Sequence, residues 1–158
     1  MIGFSFFAHG AIGVSKSNIE KDARQSQKIN HDWLVTKDVT DEIAALLFYD
    51  AELEQHTFSV YLNREGVSYG CFFREGGSLG TIESAIQGFS YIDKGMALLS
   101  MNKKQVAEVK LYTGKQVETL DIDPLKPFVA IVPQGTDMVS LLDSNGEEVA
   151  INVISAYY

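Results

Sequence analysis

From residue 89 to the C-terminus the chain repeats one pattern, a short run carrying apolar residues followed by a break of turn residues. The runs are Phe89–Ile92, Met96–Met101, Gln105–Tyr112, Gln116–Ile122, Phe128–Val132, Met138–Asp143 and Val149–Tyr158. Between them stand Asp93-Lys94-Gly95, Asn102-Lys103-Lys104, Thr113-Gly114-Lys115, Asp123–Pro127, Gln134–Asp137 and Ser144–Glu148. Strands this short and this close together leave no room for crossover helices. The spacing therefore predicts a sandwich or barrel of antiparallel strands.

The first half carries the same signal less regularly. Ile2–Phe7, Ala11–Ser15 and Trp33–Thr36 read as short strands. His56–Leu62, with Phe58, Val60 and Leu62 on one face, and Val67–Arg74 read as a hairpin around Asn63-Arg64-Glu65-Gly66. Two segments admit a helix. Asp41–Phe48, capped by Asp38 or Thr40 and acidic at its start, is expected to be helical. Residues 16–32 hold only Ile19, Ala23 and Ile29 as apolar members, so a solvated helix with Ser17 and Glu20 as a capping box competes with an extended polar arm. Residues 78–88 fit either a short helix begun at Thr81 or a strand. The expected fold is thus mainly β with one or two short helices (α+β), in one domain over residues 1–158 with an antiparallel sandwich or barrel-like body.

Charge narrows the function classes. Thirteen basic residues against twenty-one acidic ones give a formal net charge of −8. The densest cation pair is Lys103-Lys104, whereas binding to nucleic-acid phosphates draws on clustered Lys and Arg. Nucleic acid is not an expected partner, and an acidic surface favours basic ones. No apolar stretch approaches the roughly 20 residues of a spanning helix. The apolar start Met1–Ala8 lacks a positive leader, so a cytoplasmic protein, not a membrane protein, is expected.

Each candidate for chemistry has a plainer explanation. His9, His31 and His56 are scattered, without metal-ligand spacing. Cys71 lies in the apolar run Val67–Phe73, where a buried inert thiol is expected, and a single cysteine cannot form an intrachain disulfide. The stretch Gly76-Gly77-Ser78-Leu79-Gly80-Thr81 could free amides for an anion, but it lacks the Lys-Ser/Thr ending of a phosphate loop. Asp143-Ser144-Asn145-Gly146-Glu147-Glu148, with Asp121 and Asp123, offers oxygen donors for calcium. Its spacing lacks the ligand register, and Asn145-Gly146 reads as a two-residue hairpin turn. No catalytic, cofactor-binding or metal residue is assigned, and no cofactor is expected.

What remains is surface. The C-terminal run Val149–Tyr158 stays apolar to its last residue, which suits a strand locked into a sheet or paired with a neighbouring subunit. The expected function is a non-enzymatic protein–protein interaction or assembly subunit, for instance a phage tail or virion component. Its partners would be other protein subunits in a homo- or hetero-oligomer. The alternative is a small acidic inhibitor, of the immunity or anti-defence kind, that masks a basic site on a toxin or nuclease.

Overall fold

A short 3-10 turn (Lys16–Asn18) leads directly into helix α1 (Ile19–Ser26), and strands account for the regular structure that follows. The computed structural model describes residues 13–64, 69–79 and 86–156. The strands are β1 (Leu34–Val39), β2 (Ile43–Tyr49), β3 (His56–Arg64), β4 (Gly70–Gly77), β5 (Ile86–Tyr91), β6 (Gly95–Ser100), β7 (Val106–Thr113), β8 (Gln116–Asp121), β9 (Phe128–Pro133), β10 (Met138–Asp143), β11 (Glu148–Val149) and β12 (Ile151–Ala156). They form three four-stranded sheets, ordered β1-β2-β3-β4, β12-β5-β6-β9 and β11-β10-β7-β8.

Side-chain alternation stacks these sheets. Ile43, Ala45, Leu47, Phe58, Val60 and Leu62 of the first sheet meet Phe89, Tyr91, Ala97, Leu99 and Ile131 of the β12-β5-β6-β9 sheet. The opposite face of that sheet, through Ile86, Leu98, Phe128, Ala130 and Val132, meets Val106, Val109, Leu111 and Leu141 of the third. The β12-β5-β6-β9 sheet is therefore the centre of the stack, and both of its faces supply core. Helix α1 covers the outer face of the first sheet, burying Ile19 and Ala23 against Leu46, Phe48 and Tyr61. The mainly β, sandwich-like α+β class read from the sequence is what the chain adopts.

The helix expected at Asp41–Phe48 is instead strand β2. Every residue from Ile43 to Tyr49 is buried, because α1 covers one face and the central sheet the other. A strand covered on both sides shows no period of two, and a short continuous apolar run reads equally as a helix segment.

Residues 16–32 resolve in favour of helix. Eight residues make too few turns to stand alone in water, and α1 is held by its contacts. The Tyr61 hydroxyl donates to Asp22 Oδ2 at 2.5 Å, and the Arg24 guanidinium lies 5.0 Å above the Phe48 ring. Gln27 Nε2 donates to the Phe58 carbonyl at 3.0 Å. The capping box does not form. Asn18 holds the N-cap position, and its side chain donates to Ser15 Oγ. Glu20 instead accepts from Lys37 and Arg24, which lower its pKa from the ordinary value while partial burial opposes them.

Further departures concern register. The expected last strand Val149–Tyr158 divides at Ala150: β11 stays in the third sheet and β12 crosses into the central one. There β12 runs parallel to β5, pairing Ile151 with Ile86 and Ala156 with Tyr91, inside an otherwise antiparallel set. The β10–β11 turn spans residues 144–147, and only Gly146 (φ 81°) is left-handed, so it is not the two-residue turn expected of Asn145-Gly146. The strand expected at Ile2–Phe7 and the first two residues of that expected at Ala11–Ser15, together with Thr81 and residues 65–68, lie outside the described residues.

Candidate functional site

The residues first considered for chemistry are not brought together. His31 is exposed and faces Asp32 at 3.4 Å. His56 starts β3, where its Nε2 accepts from the Leu79 amide at 2.9 Å; partial burial and nearby Lys103 lower its pKa. Cys71 is buried on β4, and burial pushes its thiol pKa up. Gly76 and Gly77 belong to β4 itself, while Gly80, Thr81 and His9 lie outside the described residues. The acidic turn uses its oxygens internally: Asp143 Oδ1 accepts from the Asn145 and Glu147 amides at 2.9 Å each. Asp123 Oδ1 likewise accepts from the Leu125 amide at 3.0 Å. Among the described residues no group of three or more His, Cys, Asp or Glu side chains is placed to hold a metal ion. Nor is any helix there long and apolar enough to cross a membrane.

The distinctive feature is an edge. Three open sheets have six edge strands, and an edge exposes unpaired N–H and C=O groups that template pairing with another chain unless guarded. Five of the six, among the described residues, carry a guard. Strand β1 presents Lys37 and Asp38. Strand β4 has a bulge opposite Val60/Tyr61, and Val14 pairs with its Cys71 on the outer side. Strand β8 presents Glu118 and Asp121. Strand β9 lies beside β1 and ends in Pro133, and its Ile131 amide donates to Asp38 Oδ2 at 2.9 Å. Strand β11 is two residues long.

Strand β12 has none of these devices. Its sequence Ile-Asn-Val-Ile-Ser-Ala contains no charge and no proline. Its six residues pair with β5 without a bulge, and among the described residues nothing pairs with its outer side. Val153 and Ile154, neighbours that point to opposite faces, are 49% and 46% exposed. Inward, β12 is tied to the central sheet by side chains as well as backbone. Gln87 Nε2 donates to the Asn152 carbonyl at 2.9 Å, and Asn152 Nδ2 donates to Gln87 Oε1 at 3.3 Å. The edge is therefore held in place from behind.

A trough of about 500 Å³ opens beside this edge, between the central and third sheets. It exists because β11 pairs only with Leu141 and Leu142, leaving the start of β10 without a strand on that side. Met96, Val132, Val139, Ile151 and Val153 give it an apolar floor. Gly88 lets that floor close up: a Cβ there would sit 3.1 Å from Met96 Sδ and 3.2 Å from Ile151 Cγ2. Two turns form the rim. Where the β5–β6 turn enters β6, Gly95 (φ 121°) runs so close to β9 that a Cβ would stand 2.4 Å from the Val132 carbonyl oxygen. In the β9–β10 turn, the Thr136 hydroxyl donates to the Pro133 carbonyl at 2.8 Å, and Asp137 Oδ2 accepts from the Gly114 amide at 2.7 Å.

Of these features the sequence signalled only the apolar C-terminal run. The trough joins residues from five strands and two turns that no local pattern connects. Comparison of the chain with family models, with curated proteins and with solved structures found no match.

Proposed function

We propose that this chain is a non-enzymatic assembly subunit that receives an extended strand from another protein subunit along β12. The carrying observation is the contrast among the six edges. Where a sheet must remain unpaired, charge, proline, bulges or shortness guard it, and β12 alone among the described edges lacks all four. Strand addition draws affinity from main-chain hydrogen bonds and specificity from the pockets beside alternate side chains. The β12 edge supplies the first and the trough supplies the second. Repeated subunit contacts of this kind are the basis for proposing a structural setting such as a tail or virion. The acidic-inhibitor reading draws on the net charge and the want of a recognisable catalytic set, and has no comparable unguarded edge behind it.

A photoreactive side chain at Val153, installed in the full chain in the cells that produce it, tests this. The control position is Val117 on β8, which is 54% exposed. The expected result is a discrete cross-linked adduct with a protein subunit from position 153 and none from 117. Adding Ile154→Lys, a guard of the kind the other edges carry, should remove the adduct while the circular dichroism spectrum is unchanged. Equal adducts from both positions, none from 153, or adducts that survive Ile154→Lys would overturn the proposal.

A further inference from the structure

We infer that the strand taken up at β12 comes from a different protein and carries apolar residues at every second position with Lys or Arg near its ends, not a second copy of β12. This rests on the strand-addition reading above and adds the chemistry of the partner.

The inference starts from what lines the trough. Its floor is aliphatic and thioether side chain, which fits apolar residues from every second position of an added strand. Among the described residues the charged members of the lining are Asp93 and Asp137, both exposed, one on each bounding turn, and no Lys, Arg or His contributes to it. The one cation of the β5–β6 turn is directed elsewhere. Lys94 Nζ donates to Glu42 Oε2 at 3.0 Å and to the Asn63 carbonyl at 2.8 Å, both on the first-sheet side. Asp93 takes a left-handed backbone (φ 64°), placing an acid at a position where β-branched or bulky residues are strained. The apolar trough is thus rimmed by one sign of charge.

A second copy does not complement this rim. Strand β12 carries no cation to offer Asp93 or Asp137, and two-fold pairing of β12 with itself would bring together two chains each with a net charge of −8. Like charges across a contact oppose association, whereas opposite charge speeds encounter and fixes register. A basic-ended strand with apolar residues at alternate positions satisfies the edge, the floor and the rim at once.

Selection of random peptides displayed in linear form against the immobilised full-length chain tests the inference directly. Enriched peptides should alternate apolar and polar residues and concentrate Lys and Arg at their ends. Their affinity should fall at least tenfold (about the scale of one buried contact) on Val153→Lys. It should also weaken as salt rises from about 0.01 to about 0.15 M, over which the screening length falls from roughly 30 to 8 Å. With Asp93→Asn/Asp137→Asn the basic preference should disappear while uncharged alternating peptides still bind. Enriched peptides that are acidic or neutral, a basic preference that survives the Asn pair, or failure to enrich any binder sensitive to Val153→Lys would each overturn the inference. Sizing of the chain alone separates the two readings. A dimer that Ile154→Lys dissolves would refute the foreign partner yet keep strand addition at β12.

Discussion

The carboxylate of Asp38 accepts a hydrogen bond from the backbone amide of Ile131 at 2.9 Å, joining two residues 93 positions apart on the facing edges of two different sheets. A side chain of β1 thereby occupies a donor that β9 would otherwise offer to a further strand. The same bond holds the first sheet in place over the central one. Hydrogen bonds to charged groups contribute about 1.5–3 kcal/mol, and leaving a partly buried amide unsatisfied costs about 1–3 kcal/mol. Asp38→Ala should therefore lower stability by roughly 1–3 kcal/mol, read as a fall in the urea midpoint at unchanged slope. Asp38→Asn keeps an oxygen acceptor and should cost less. Equal stability of Asp38→Ala and the parent chain would show that the bond contributes nothing.

Strand β2 supplies a second test. Leu46 faces the helix layer and Leu47 the central sheet, and both are fully buried. Leu-to-Ala changes in packed cores cost about 2–5 kcal/mol. Each of Leu46→Ala and Leu47→Ala should fall in that range. Were the segment a one-sided amphipathic helix, a change on its outer face would be nearly neutral. Chemical denaturation of the two single variants distinguishes these outcomes.

His56 gives the chain a pH dependence of definite sign. Its pKa is lowered from 6.5 first by burial and then by Lys103, and its neutral Nε2 accepts from the Leu79 amide. The unfolded chain therefore binds more protons at this site than the folded chain over the window just below pH 6.5. The contribution of His56 to stability is fully present above that value. It is lost as pH falls through the lower folded pKa. Denaturation midpoints should thus decline between about pH 6.5 and 5, and His56→Gln should flatten that slope. A midpoint independent of pH over this window would contradict the assignment.

Gly95, the first residue of β6, offers a severe single change. Its φ of 121° is one that side chains rarely adopt, and a Cβ would stand 2.4 Å from the Val132 carbonyl oxygen. Backbone strain of that kind costs of order 1–3 kcal/mol before any clash is counted. Gly95→Ala should lower the melting temperature and broaden the amide resonances of the β6–β9 pair. By contrast Gly114→Ala, at φ 60° with open space around it, should show the conformational cost without the clash.

How far the sequence carried depends on which forces are local. The inward face of β3, Phe58, Val60 and Leu62, was legible because alternation is a property of one strand, and these residues do enter the core. Alternation was less reliable in β7. There Val106 and Val109 are both buried three positions apart, because the pairing with β10 slips between Leu142 and Asp143. A bulge depends on the partner strand and leaves no mark in the run itself. The apolar C-terminus marked β12 as structurally bound, but its outward side could be seen as unguarded only once the other five edges were placed.

The sequence by itself determined that this chain is a β protein with tight turns, an acidic surface and apolar faces on most strands, because side-chain period and turn residues act over a few neighbours. Tertiary structure decided that Ile43–Tyr49 is a strand, that the chain crosses between sheets at Ala150, and that β12 pairs parallel to β5 with its outer side unpaired among the described residues. Those outcomes depend on what covers each face and each edge, and residues far away in the chain supply that cover.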